Sequence, residues 1–433
     1  MDYLEIKPLT APPHATIRVP GSKSITNRAL VLAAGADSFA GPSTLYGALE
    51  CEDSQVMIDA LLKLDTMVRK NWPEDGCISV WGWGGRDCRE PPVDQFELFV
   101  GNSGTTMRFL AAFVSTGEGR FRLDGVPRMR ERPIEDLLSA LRQLGVNAHS
   151  ERRNGCPPVI IETNGLDGGR IRMRGDVSSQ YLSGLLMAAP RAQGDVEIEI
   201  DGPLVSWPYV SMTVEIMRQF GAMVEVESNR IFRVPGQQFY EATTFEIEPD
   251  ASAASYFFAA AAILSGQLRV EGLTMRSLQG DVRFVELVEE MGCELVRGNT
   301  GLTVRGAPLH GIDVDMNDIS DTVMTLAAVA CFAEGPTTIR NVAHIRQKET
   351  DRLAALATEL RRVGAEVDEF ADGLKITPRP LHGAEIETYN DHRMAMSMAL
   401  IGLKAPGIVI KNPGCVAKTY PGFWQDLEKL RLP

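Results

Sequence analysis

One pattern occurs six times along the 433 residues and restricts the fold more than any other feature. Each copy opens on a turn or capping residue, passes through a short polar segment and runs into an apolar helix rich in Ala, Leu and Met. The copies read PGSKSITNRALVLAA from Pro20, GNSGTTMRFLAAF from Gly101, GDVSSQYLSGLLMA from Gly175, PDASAASYFFAAAA from Pro249, NDISDTVMTLAAVA from Asn317 and NDHRMAMSMALI from Asn390. Their starts lie about 70 to 80 residues apart, longer than a solenoid repeat but a true internal period.

The text between these helices also recurs. Strand-like runs fall at Phe96–Val100, Val159–Glu162, Val196–Ile200, Ile231–Val234, Leu268–Val270, Leu302–Val304, Thr337–Ile339 and Ile408–Ile410, several alternating apolar with polar residues. A second kind of helix ends on a glycine before a strand, at Gly145, Gly221, Gly292 and Gly364, where a left-handed cap is expected. One unit therefore reads strand, helix, strand, helix, strand. Three copies per domain divide this α/β chain into residues 21–243 and residues 1–20 plus 244–433, with crossings near Pro20 and within Gly236–Thr244. The Trp-containing text Asn71–Pro92 reads as an irregular hairpin.

A chain of this length exceeds one ordinary core, which agrees with two domains. A net charge of −13 argues against nucleic acid or an anionic membrane as partner. It still allows an anionic small molecule, provided positive charge is concentrated locally. Seven scattered cysteines without a CxxC pair point to a reduced, cytoplasmic protein without a structural zinc. No secretory pattern opens the sequence, and no apolar run reaches the length of a membrane span.

The first copy shows what such a start can do. Ser22 or Ser24 caps the helix, and Lys23 and Arg28 add two charges to an end that already favours anions. Two readings fit, a small-anion site and a solvated, capped helix start. Pooling all six starts gathers Lys23, Ser24, Arg28, Asn102, Gly104, Thr105, Arg108, Ser178, Ser179, Gln180, Asp321, Asp391, His392 and Arg393. That set has many donors and cations and few carboxylates, as a polyanion requires. Two loops add RMRERP at Arg128–Pro133 and RQKETDR at Arg346–Arg352. On a helix the second would set Glu349 beside Lys348 and Arg352; the plainer reading is an exposed ion-pair lattice. Asp321 is the odd member of a cationic set. It caps a helix, neutralises a cation or accepts a proton.

PGSKSITNRAL, GNSGTTMRFL, RMRERPI, GDVSSQYLSGLLMAAP, KETDRL, NDHRMAM and AKTYPGFW, in this order from about Lys7 to Trp424, closely resemble the EPSP synthase family, the 3-phosphoshikimate 1-carboxyvinyltransferases of the shikimate pathway. The resemblance implies a two-domain enolpyruvyl transferase fold of six βαβαββ units, three per domain around pseudo-threefold axes, with the active site in the cleft between the domains. It implies shikimate 3-phosphate and phosphoenolpyruvate as substrates, no cofactor, no metal, and a monomer. By the family's pattern Lys23, Ser24, Arg28, Ser178, Ser179, Gln180, Ser206, Tyr209 and Asp321 match positions that hold shikimate 3-phosphate. His344 and Lys348 match weaker ones. Lys23, Asn102, Gly104, Arg132, Gln180, Arg352, Arg393 and Lys418 match positions that hold phosphoenolpyruvate. Asp321, Glu349 and Lys23 match catalytic positions, with Asp321 as base and Glu349 or Lys23 as acid. This sequence departs at His344, where many members carry Asn, and at Ser103 and Phe109, where one branch carries Ala and Pro. A sister family acting on UDP-N-acetylglucosamine shares the fold, but its reactive Cys in a Gly-rich loop is not evident here.

Overall fold

The computed structural model describes residues 2–39, 41–72, 76–82 and 96–431. The chain forms two compact units, one of residues 21–247 and one of residues 1–20 with 248–433. Each is built on three helices that the repeated pattern specifies. In the first unit these are Lys23–Ala34, Gly104–Phe113 and Ser179–Ala188. In the second they are Ala251–Leu264, Val323–Ala330 and His392–Gly402, which touch one another. All six are buried almost all round, as an all-apolar helix must be. Each fully buried Leu among them, such as Leu326 or Leu400, contributes about 1.5–3 kcal/mol.

The sheets repeat one strand pattern. In the first unit, Phe96–Phe99 lies parallel to Glu118–Asp124, which pairs antiparallel with Val159–Asn164, which pairs antiparallel with Asn147–Ser150. The same parallel, antiparallel, antiparallel order recurs in two further sheets of this unit and in two sheets of the other. A third sheet of that second unit has three strands, Ala384–Ile386, Ile408–Lys411 and Tyr3–Ile6.

The two repeats at the crossings are completed by chain from elsewhere. His14–Ile17 pairs in parallel with Gln267–Glu271, and Thr244–Glu246 pairs in parallel with Ser43–Tyr46. That second pairing moves the crossing from the expected 243/244 to 247/248, because Phe245 is a buried strand residue of the first unit.

The four glycine-ended helices are Glu135–Gln143, Trp207–Gln219, Phe284–Glu290 and Arg352–Arg362. Gly145, Gly221, Gly292 and Gly364 follow them with φ of 86°, 87°, 119° and 104°. A side chain at any of these would strain the reversal into the next strand. At the start of the Trp-containing text, Met67–Asn71 pairs antiparallel with Cys77–Trp81. The rest of that expectation, residues 73–75 and 83–92, lies outside the described residues. No helix among the described residues is long and apolar enough to cross a membrane.

Candidate active site

In the first unit the helix starts carry the expected polar side chains. Ser22 caps Lys23–Ala34, its hydroxyl accepting from the Ile25 N–H at 3.4 Å. Ser178 caps Ser179–Ala188, accepting from the Gln180 N–H at 3.3 Å, and the Gln180 amide donates to Thr105 Oγ1 at 3.3 Å. Arg28 joins four helices. Its Nε donates to Thr213 Oγ1 at 2.7 Å, Nη1 to the Ser24 carbonyl at 2.9 Å, and Nη2 to Ser183 Oγ at 3.3 Å and the Tyr209 carbonyl at 3.2 Å. The guanidinium lies 5.0 Å from the centre of the Phe109 ring. Every one of these partners is neutral and the side chain is buried, so desolvation pulls its pKa down to about 9. A buried cation among neutral acceptors is a place for an anion.

Ser206 precedes Trp207–Gln219 in the left-handed region, at φ 54° and ψ 47°. Such backbone costs about 1–3 kcal/mol and concentrates at functional positions. Tyr209, one turn on, is half-buried. Lys23 is buried with its Nζ 3.5 Å from the Asp53 carboxylate. Asp53 is a residue that the sequence reading missed. It sits on the next helix, Glu52–Lys63, and no local spacing ties it to Lys23.

The arginines of RMRERP separate. Arg128 pairs with Glu131 at 2.9 Å and Arg130 with Asp124 at 2.7 Å, both arginine side chains part-exposed. Arg132 alone turns inward, with Nη1 3.3 Å from the Asn102 carbonyl and its guanidinium against Gly104. Arg108 is spent on structure, donating to the Pro133 carbonyl at 2.9 Å.

In the second unit, Asp321 joins two arginines. One carboxylate oxygen accepts from Arg393 Nη2 at 2.7 Å and the other from Arg352 Nη1 at 3.2 Å. Asp321 does not cap the helix: it lies in the 3-10 turn Ser320–Thr322 ahead of Val323–Ala330. Arg352 also donates to Glu349 at 2.9 Å and to Asp391 at 2.8 Å. Desolvation would weaken the Arg352 charge, but Asp391, Glu349 and Asp321 together raise its pKa above the ordinary value.

Two sequence expectations need correction here. Lys348 and Glu349 are not on a helix, because Asp351 caps the helix that begins at Arg352, accepting from the Ala354 N–H at 3.1 Å. The loop, not an i, i+3 spacing on a helix, delivers Glu349, and the Glu349–Arg352 pair is buried rather than an exposed lattice. Three carboxylates surround Arg352: Asp321 and Asp391 from the pooled helix starts, and Glu349 from the loop. Asp391, a member of the pooled set, caps the next helix, accepting from the Arg393 N–H at 2.9 Å, and also holds Arg352.

His344 is buried, and its pKa falls to about 3 through burial first and then the Lys348 charge, with Arg352 adding to the fall and Asp321 opposing it. It is therefore a neutral imidazole at physiological pH. His392 is buried with Nδ1 3.5 Å from Asp391. Lys418 is buried at the end of the turn Pro413–Lys418.

The EPSP synthase (3-phosphoshikimate 1-carboxyvinyltransferase) family model matches residues 10–427. A 3-phosphoshikimate 1-carboxyvinyltransferase of Nostoc punctiforme is 50% identical over 434 residues, covering 99% of this chain and all of that protein. One of Shewanella baltica is 45% identical over 433 residues, covering the whole of both chains. A solved EPSP synthase from Acinetobacter baumannii superposes with a TM-score of 0.82 at 26% identity, covering 99% of this chain and 98% of that one. With a two-unit α/β fold, polar helix starts and a full-length match, the chain belongs to the EPSP synthase family.

Proposed function

We propose that the chain transfers the enolpyruvyl group of phosphoenolpyruvate to the 5-hydroxyl of shikimate 3-phosphate, releasing phosphate through a tetrahedral ketal intermediate. The observation that carries this reading is Asp321 held between Arg352 and Arg393. The family resemblance assigns both arginines to phosphoenolpyruvate, and a carboxylate fixed between them is poised to take the proton of an incoming hydroxyl. Arg28, with Ser24, Ser178, Ser179, Gln180, Ser206 and Tyr209, receives shikimate 3-phosphate in this reading, and its neutral surroundings suit a phosphate. Lys23 with Asn102, Gly104, Arg132 and Lys418 completes the phosphoenolpyruvate set.

Chemically, C2 of phosphoenolpyruvate becomes electrophilic only when its methylene is protonated, so an acid is needed; Glu349 or Lys23 serves. Removal of the 5-hydroxyl proton to Asp321 lets the oxygen add to C2. Return of a methyl proton to the protein and departure of phosphate then restore the double bond. The arginines and lysines stabilise the charge on the leaving phosphate. His344, neutral, donates or accepts one hydrogen bond to shikimate 3-phosphate beside Lys348. The enzyme acts as a cytoplasmic monomer without a cofactor or metal. Phosphate release with both substrates tests the reading. Release that requires shikimate 3-phosphate supports it, and release driven instead by UDP-N-acetylglucosamine, or none, overturns it.

A further inference from the structure

We propose that Asp281, acting through Ser252, is a positioning residue for Arg393. Ser252 lies in the first turn of Ala251–Leu264, and Asp281 lies in the 3-10 turn Gly280–Arg283. Both are buried. The Ser252 hydroxyl donates to Asp281 Oδ2, and Ser252 Oγ accepts from Arg393 Nη2 at 3.3 Å.

The direction of these bonds follows from the inventory of donors. An ionised carboxylate only accepts and a guanidinium only donates, while a hydroxyl has one proton and two lone pairs. Asp281 therefore claims the Ser252 proton and leaves the oxygen lone pairs facing Arg393. The same Arg393 nitrogen donates to Asp321 at 2.7 Å. Two acceptors on one nitrogen fix the plane of the fork, one from the turn that carries Asp321 and one from the Ala251–Leu264 helix.

The Asp281 turn is itself bolted to that helix start. Gln279 Oε1 accepts from the Ala251 N–H at 3.0 Å, and Gln279 Nε2 donates to the Pro249 carbonyl at 2.7 Å and to Glu248 Oε2 at 3.1 Å. Glu248 in turn accepts from the Leu278 N–H at 3.0 Å. The segment before Asp281 and the start of the Ser252 helix thus move as one piece. Planar recognition of a carboxylate or phosphate by arginine depends on the angle of the fork, so the device acts on phosphoenolpyruvate and not on the other substrate.

This rests on the reading of Arg393 as a phosphoenolpyruvate ligand, and the test separates the two. Steady-state kinetics are measured on the full chain for Ser252→Ala, Ser252→Thr, Asp281→Asn and Arg393→Lys, varying each substrate with the other saturating. Ser252→Ala and Asp281→Asn each raise the KM for phosphoenolpyruvate about 10-fold, with the KM for shikimate 3-phosphate within about twofold. Ser252→Thr, which keeps the hydroxyl, stays near wild type. Alanine suits a helix at least as well as serine, so Ser252→Ala decides alone if Asp281→Asn does not fold. An unchanged phosphoenolpyruvate KM in Ser252→Ala, or equal rises for both substrates, overturns the inference while Arg393→Lys still raises the phosphoenolpyruvate KM. If Arg393→Lys leaves that KM unchanged, the ligand assignment falls and this inference falls with it.

Discussion

Gly104 is the floor on which the Arg132 guanidinium lies: a Cβ added at position 104 would come within 2.8 Å of Arg132 Cζ and closer still to Nη2. Arg132 is buried, so the displaced group has to re-aim within a packed site. The helix itself does not suffer, since position 104 only opens it and alanine is no worse a helix former than glycine. Gly104→Ala is expected to raise the KM for phosphoenolpyruvate about 10-fold without lowering the melting temperature. Arg132→Ala raises the same KM and leaves that for shikimate 3-phosphate nearly unchanged. Because both changes act on one guanidinium, the double variant should cost little more than Arg132→Ala alone, and full additivity in that cycle would sever the link.

Asp321 has two tasks that alanine would remove together, neutralising Arg352 and Arg393 and accepting a proton. Asparagine keeps an oxygen for one arginine but is not a base. Asp321→Asn should therefore lower kcat by about 10²–10⁴-fold while shikimate 3-phosphate binding, followed by calorimetry, stays near wild type. A kcat close to normal would take the base role away from Asp321.

The parts of this molecule that could be read from the sequence are those written locally. Helix starts such as Asp250 and Asp391, and glycine stops such as Gly364, carry their signal within four residues. The hairpin strands Glu225–Glu227, Glu294–Arg297 and Glu366–Phe370 do not, being mostly exposed and charged. An edge strand that buries almost nothing has no apolar alternation to read, and the residue-by-residue unit came out one strand short for that reason. The site divides in the same way. Lys23 and Arg393 lie beside caps, and Arg28 one turn beyond Ser24, so they could be named, whereas Asp53, Ser252 and Asp281 earn their place only through partners far away in sequence. A helical spacing for Lys348 and Glu349 fits the sequence, but the Asp351 cap forbids it.

Arg28 gives a pH signature. In the ligand-free protein its pKa is pulled down to about 9 by burial, so the binding form carries its charge below that value. Above it, binding must also take up a proton, and the Kd for shikimate 3-phosphate should rise about tenfold per pH unit. Without ligand, the folded chain gives up this proton before the unfolded chain does. Stability should consequently increase between pH 9 and the ordinary arginine value of 12.5. Calorimetric titration from pH 7 to 10.5 measures the first effect. Arg28→Gln should bind weakly at every pH and lose the slope attributed to Arg28, whereas an identical slope in that variant would assign it to another group.

His344 makes the opposite kind of prediction, a step that should be missing. Burial and the Lys348 charge hold its pKa at about 3, below the ordinary 6.5, so no change in shikimate 3-phosphate affinity from this imidazole is expected between pH 6 and 8. The linkage appears in stability. Between pH 6.5 and about 3 the unfolded chain binds a proton that the folded chain refuses, so stability falls on acidification by up to about 1.4 kcal/mol per pH unit and is untouched above that window. His344→Asn keeps a hydrogen-bonding side chain but has no such proton. Its urea midpoint at pH 4.5, compared with that at pH 7, should drop less than the wild type's, while its KM for shikimate 3-phosphate stays within about threefold. Equal acid sensitivity in the two proteins would mean that His344 takes up its proton without unfolding.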